Sequence, residues 1–194
     1  VQTSSVSHVM QPMPETWAAA DGTVITIRPI SAADLALEQE FVDGLSASTG
    51  YQRLMSARRP SPEELTRFTD IDQERELALI ATTLVQGKER QIGVARYVKE
   101  SSPGDAEFAI VLSDDWQGRG LGIKLLGSLL AAAKNDGVRR LVGTTMSENG
   151  GMLALARKLG FKLAKDPSSA TITNLTMDLA AWSPPSAAAP HRQT

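Results

Sequence analysis

From residue 106 to residue 146 the chain reads as a strand (AEFAIVL), a glycine-rich loop (QGRGLG), an amphipathic helix and a second strand (LVGTTM). Two strands joined through a helix lie parallel, because the helix carries the chain back to the end from which it started. Such crossovers are right-handed in nearly all sheets. The preceding linkers permit only antiparallel neighbours. ELALIATTLV at 76–85, QIGVARYVK at 91–99 and the strand at 106–112 are separated by QGKER and ESSPGD, both short enough for hairpins. The chain is therefore expected to be α/β, with a mixed, mostly antiparallel central sheet that holds one parallel pair and is flanked by helices.

The remaining elements are shorter. TVITI at 23–27 is β-branched and strand-like, closed by Arg28 and Pro29. Ser31 to Asp34 resembles a capping box, and Leu37, Phe41 and Leu45 then repeat at helical spacing as one buried stripe. Ser61, Pro62 and Glu64 are a second helix start, on a helix that carries Leu65 and Phe68. In the crossover helix Ile123, Leu126, Leu130 and Ala133 share a face, and Gly137 ends it. A helix at 151–159 stops at Gly160, followed by one or two strands, the last at 171–179 with Leu175, Met177 and Leu179 alternating inward. Residues 1–20 and 183–194 are Ser/Pro/Ala-rich without a period and are expected to be flexible tails. That leaves one domain, 21–182.

Composition removes several function classes. Lys and Arg number 20 against 22 Asp and Glu, a net charge of -2, too few cations for a dedicated nucleic-acid binder. Zero Cys excludes a thiolate nucleophile, a Cys-ligated zinc and a disulfide scaffold. The two histidines, His8 and His191, both fall in the tails, so neither a His-based triad nor a metal site is expected. No run approaches the ~18 apolar residues of a membrane span, and no cationic start with an apolar core opens the chain. A cytoplasmic protein without membrane contact is expected.

The chemistry concentrates where the strand at 106–112 meets the helix. A strand running through glycines into a helix N-terminus gathers unpaired backbone N–H groups, which with the helix dipole bind phosphate oxygens. Gly118, Gly120 and Gly122 leave the main chain open to a pyrophosphate, and Arg119 adds charge at the rim. The spacing is neither a Walker loop nor G-x-G-x-x-G. The general pattern [QR]-x-x-G-x-[GA] alone arises by chance in roughly one chain in five of this length. Its position between strand and amphipathic helix strengthens it, though a plain helix entry would also use such glycines.

AEFAIVL at 106–112 followed by QGRGLG at 117–122 resembles strand 4 and the acyl-CoA loop of the GNAT acetyltransferases. Asn149, then Leu159-Gly160-Phe161, resembles that superfamily's second cofactor element. The likeness covers about residues 22–180. TIRPI at 26–30, Tyr51-Gln52-Arg53, Asp70-Ile71-Asp72 with LALIA at 77–81, and Glu107-Phe108-Ala109 are further similar to the bacterial Pat-type protein lysine acetyltransferases. In that group the domain is often fused to a synthetase-like or cyclic-nucleotide region; here it is expected to stand alone.

The resemblance implies a GNAT fold whose parallel pair, strands 4 and 5, splays apart. It also implies direct transfer of an acetyl group from acetyl-CoA to a primary amine, without a metal. The acceptor would be a protein lysine, an acyl-CoA synthetase being one candidate, or else a small amine. A third option is a non-catalytic acyl-CoA sensor. A lysine amine with pKa ~10.4 is only about one part in 2,500 neutral at pH 7, so removing its proton is worth about 4–5 kcal/mol. Glu107 matches the family's base and is expected to be half-buried between apolar neighbours; the alternative, a solvated strand residue opposite Phe108, is the weaker reading. The backbone N–H of Val111 or Leu112 would meet the thioester oxygen. Gln117, Gly118, Arg119, Gly120, Leu121 and Gly122 would hold the cofactor, joined by Asn149, which reads as well as a helix N-cap. One position departs from the family: Ala156 stands where many members have a Tyr general acid, so no acid is assigned. Arg58 and Arg59 beside Glu63 and Glu64 read as a solvated helix approach. Trp116 reads as packing at the loop base, and Asp114 and Asp115 as turn residues or sensors of a basic substrate.

Overall fold

The computed structural model describes residues 12–54 and 59–184. His8, His191 and Arg58 lie outside the described residues, as do the side chains of Tyr51, Gln52 and Arg53. Eight strands form one sheet in the order β1-β2-β3-β4-β5-β6-β8-β7. They are β1 (Glu15–Ala18), β2 (Val24–Pro29), β3 (Glu76–Val85), β4 (Lys88–Lys99), β5 (Asp105–Leu112), β6 (Arg140–Met146), β7 (Lys162–Asp166) and β8 (Ser169–Asp178). Every neighbouring pair is antiparallel except β5 and β6. The crossover between them is α4 (Leu121–Asn135), as the strand–helix–strand pattern predicts.

The helices divide between the two faces. On one, α4 and α5 (Gly150–Leu159) cover the main core, in which Leu121, Leu125, Leu126, Leu129 and Leu130 of α4 are fully buried against Leu79, Ala95, Ala106 and Leu141 of the sheet. The buried stripe of α4 is thus broader than the expected one, and Ile123 sits at its half-buried margin. On the other face α1 (Leu35–Asp43) lays Phe41 onto Ile80 and Val94, with α3 (Pro62–Thr69) beside it. The capping box at Ser61 forms as expected: Ser61 Oγ accepts the Glu64 N–H at 3.3 Å, and Glu64 Oε2 accepts the Ser61 N–H at 2.8 Å. No described helix is long and apolar enough to cross a membrane.

Three elements differ from the sequence expectation. Glu15–Ala18, assigned to the tail, is an edge strand on β2, held by backbone pairing and by Trp17 and Ala19 packing against the core. Four residues are too few to show a period. α2 (Ala47–Leu54) is a third N-terminal helix. Its start has no apolar stripe and is fixed instead by polar contacts from a distant turn, described below. The QGKER linker shrinks to a two-residue turn at Gln86 and Gly87, both at positive φ, so that Lys88 already pairs with Val85.

Candidate active site

β5 positions the site. Its alternation puts Ala106 and Phe108 under α4 and α5, and Glu107 and Ala109 on the face of α1 and α2. Glu107 pairs with Val98 on β4 and with Val142 on β6. The β5–β6 register ends at this rung, and the two strands then diverge. Contrary to the half-buried expectation, Glu107 is exposed, because among the described residues no helix packs closely over β6 and β8 on its side; among the same residues its carboxylate has no hydrogen-bond or ion-pair partner.

Which main-chain donors face the gap follows from the β4 ladder. The Ser113 N–H donates to Ile92 C=O at 3.0 Å, and the register runs unbroken to Lys99 opposite Ala106. Antiparallel alternation therefore turns the Val111 N–H onto β4 and the N–H groups of Ile110 and Leu112 toward the opening.

At the end of β5 a short 3-10 turn, Asp114–Trp116, leads into the loop. Gly118 and Gly120 both adopt left-handed φ, 73° and 88°, conformations that L side chains resist. Among the described residues, no main-chain N–H from Gly118 to Ile123 has an acceptor; Lys124 is the first to donate, to Gly120 C=O at 3.2 Å. Six consecutive free donors at the positive end of a fifteen-residue helix are an arrangement suited to an anion. Gly122 acts otherwise than expected. It is buried inside α4, and a Cβ there would lie 3.2 Å from Leu155, so its missing side chain lets α5 approach rather than a phosphate. The Leu121 side chain is likewise core.

The loop is braced from several sides. The Gln117 carboxamide donates to Thr49 Oγ1 at 3.2 Å and to Leu112 C=O at 3.4 Å. Asp114 accepts from Ser46 N–H (3.0 Å), Ser46 Oγ (2.7 Å) and Thr49 Oγ1 (2.8 Å), pinning the start of α2 to the end of β5. Partial burial raises its pKa, but those donors outweigh it and hold the carboxyl below its usual range. Asp114 is thus an anchor for α2. Arg119 lies 4.1 Å over the Trp116 ring and pairs with Asp21, while Trp116 itself is buried at the loop base. Arg59 pairs with Asp43 at 3.0 Å, as a solvated approach would. Asn149 Oδ1 accepts the Met152 N–H at 3.1 Å, which is its N-cap reading; a cofactor contact would have to use its amide hydrogens. Ala156 is fully buried. Tyr97 offers no substitute acid, since its hydroxyl is buried and donates to Asp136 at 2.7 Å, near the opposite end of α4.

The signals for Ser46, Thr49, Trp17 and Asp21 were absent from the sequence because each acts across a large separation. Only the Ser-Ala-Ser-Thr run at 46–49 hints at a helix start.

The acetyltransferase (GNAT) domain family matches residues 25–162, most of the chain. The protein belongs to the GNAT acetyltransferases. This GNAT domain is 32% identical over 152 residues to an acetyltransferase of Pseudomonas aeruginosa, covering 78% of this chain and 82% of that one. It is 27% identical over 150 residues to the acetyltransferase Pat of Mycolicibacterium smegmatis, covering 77% of this chain but only 44% of Pat. Its fold matches the crystal structure of the GNAT domain of S. lividans PAT with a TM-score of 0.77, at 24% identity over 89% of this chain and 98% of that one.

Proposed function

We propose that this domain transfers an acetyl group from acetyl-CoA directly to a lysine amine on a protein, with Glu107 as general base. The observation that carries the reading is the opening between β5 and β6, with Glu107 at its last paired rung and the six free N–H groups of 118–123 beyond its far end. The residues fit the cosubstrate: a cradle of main-chain donors suits a pyrophosphate, and the unpaired N–H groups of Ile110 and Leu112 suit an extended arm between the strands. Acetyl-CoA supplies the activated acetyl group.

The residues of this chain then have separate tasks. Gly118 to Ile123 hold phosphate oxygens through their N–H groups, and Gln117 keeps β5, the loop and α2 together. The Leu112 N–H, or that of Ile110, meets the negative charge that develops on the thioester oxygen; Val111 is turned away and is set aside for this role. Glu107 takes the ammonium proton, directly or through a water, so that the neutral amine attacks. No side chain is assigned to protonate the departing thiolate. Asn149 caps α5 and reaches the cofactor only through its amide hydrogens.

A protein acceptor is favoured by the exposure around Glu107. α1, α2 and α3 pack over β4 and β5, while Thr144, Lys162 and Ala164 on the same side of β6 and β7 are exposed, an open surface that a lysine on a large partner can reach. The same reading takes the protein to be cytoplasmic and its partner to be an acyl-CoA synthetase.

The test is acetyl-lysine mass spectrometry on an acetyl-CoA synthetase incubated with this protein and acetyl-CoA, with Glu107→Gln as control. Site-specific acetylation absent from the control supports acceptor class and base together. Turnover on small amines with none on the synthetase moves the acceptor to that class. Acetyl-CoA binding with no turnover on either makes the domain a sensor.

A further inference from the structure

We infer that β1 and the turn after it belong to the cofactor site, with Trp17 and Asp21 as positioning residues that hold the Gly118–Gly122 corner in its anion-binding shape before any ligand arrives. This rests on the reading of the loop given above. The corner cannot hold itself. Its five N–H groups, like that of Ile123 after them, make no hydrogen bonds among the described residues, and two of its residues are left-handed glycines. Glycine loses more backbone freedom on ordering than any other residue. A loop of this kind must be fixed from outside, or its ordering weakens ligand binding.

Besides the Gln117 contacts at its start, the corner is held by one short piece of chain at 15–21. The Trp17 ring lies 3.7 Å from where a Gly120 Cβ would stand and, among the described residues beyond the loop itself, is the one group within 4 Å of that point, so the indole forms the wall behind the corner. Asp21 grips Arg119 from one side while Trp116 stacks on it at 4.1 Å from the other. One turn further, Glu15 accepts from Lys124 Nζ at 2.7 Å and from the Ser128 hydroxyl. Burial works to raise the Glu15 pKa, but Lys124 and Ser128 bring it below the usual range, so the clamp is fully charged at neutral pH. Asp21 is also held low, by the Thr23 N–H first and Arg119 after it. Residues 15, 17 and 21 thus touch 124 and 128, 120, and 119 in turn, across sequence separations of 98 to 113 residues. Backbone pairing of β1 with β2 keeps Glu15 and Trp17 in register, and Asp21 sits in the turn that follows, where it accepts the Thr23 N–H at 3.0 Å.

The experiment is calorimetric titration of the full chain with coenzyme A, together with amide hydrogen exchange of the free protein. Trp17→Ala is expected to raise the Kd about tenfold, equivalent to about 1.4 kcal/mol, and to speed exchange at 118–123. kcat at saturating acetyl-CoA should not change, and Trp17→Phe should restore most of the affinity. Asp21→Asn, an exposed site that does not threaten folding, is expected to raise the Kd about threefold, as losing an exposed ion pair does. Wild-type affinity and exchange in Trp17→Ala, even with a lowered Tm, overturn the inference by making the contact structural only. A Kd that falls in Asp21→Asn overturns the role of Asp21, marking it as a rival of phosphate for Arg119. If the parent protein binds no coenzyme A, the reading of the loop falls first; if the parent binds and Trp17→Ala binds equally, only this inference falls.

Discussion

Glu107 and Val142 are the last residues of β5 and β6 to stand opposite one another, and the strands part immediately after them. What happens at the next step differs on the two faces. Under α5 the Phe108 ring fills the space, with its centroid 5.0 Å from that of Phe161 and its edge against Gly143. On the opposite face nothing among the described residues covers Glu107. One residue of β5 thus wedges the strands apart from below while its neighbour offers a carboxylate from above, and strict alternation along the strand makes the two roles inseparable.

Glu107→Gln should separate chemistry from binding. The side chain is exposed and without a partner among the described residues, so stability should change by less than about 0.5 kcal/mol. As the base, its loss should lower kcat near neutral pH by about 10²–10⁴-fold and leave the Kd for acetyl-CoA unchanged. Steady-state rates together with calorimetry check this. An unchanged kcat removes Glu107 from the reaction.

Gly120→Val should abolish cofactor binding for a conformational reason. At φ 88° a left-handed L residue costs about 1–2 kcal/mol, and the branched side chain would also press on Trp17. The corner should relax to another shape and lose its aligned N–H groups. Titration with coenzyme A is expected to show no binding, alongside a modest fall in Tm; full binding would sink the loop assignment.

The fold was largely legible because its signals are local. The 106–146 pattern dictated a parallel pair, and β5, β6 and the Asn149 and Gly160 ends of α5 lie where the sequence puts them. What escaped depends on partners far along the chain. α2 owes its start to Asp114, and β1 owes its docking to Trp17 packing on a corner built from residues near 120. The burial of Glu107 was misjudged for a related reason. Apolar neighbours in a strand report the opposite face, not their own, so whether a helix covers the carboxylate is a question of topology.

Acid should weaken the start of α1 through Asp34. Burial raises the pKa of this carboxyl, but two Arg28 contacts at 2.8 Å and the Ser31 N–H at 2.8 Å hold it below the usual range. A depressed folded pKa means that the stabilisation is complete above the unfolded value near ~3.9 and is lost as pH falls through the folded value. Tm should fall steeply below about pH 4 for this reason. Asp34→Asn should cost about 1–3 kcal/mol at pH 7 and flatten that acid slope. An equally steep slope in the variant would assign it to other carboxylates.

Gly143→Ala tests the wedge beneath the opening. A Cβ at 143 would stand 2.7 Å from Phe108 Cε1 and 3.0 Å from Cδ1, closer than real contacts allow. The ring is buried and backed by Phe161, so it cannot simply swing away. Either Phe108 leaves its rotamer or β5 and β6 move further apart. Overpacking of this kind costs about 1–3 kcal/mol, or roughly 3–10 °C in Tm for a domain of this size. Because the strain falls on the strands that flank the opening, the KM for acetyl-CoA should rise with it. Adding Phe108→Leu removes the clashing edge and should recover part of the lost Tm. A single variant as stable as the parent would mean that the ring has room to move and does not hold the strands apart.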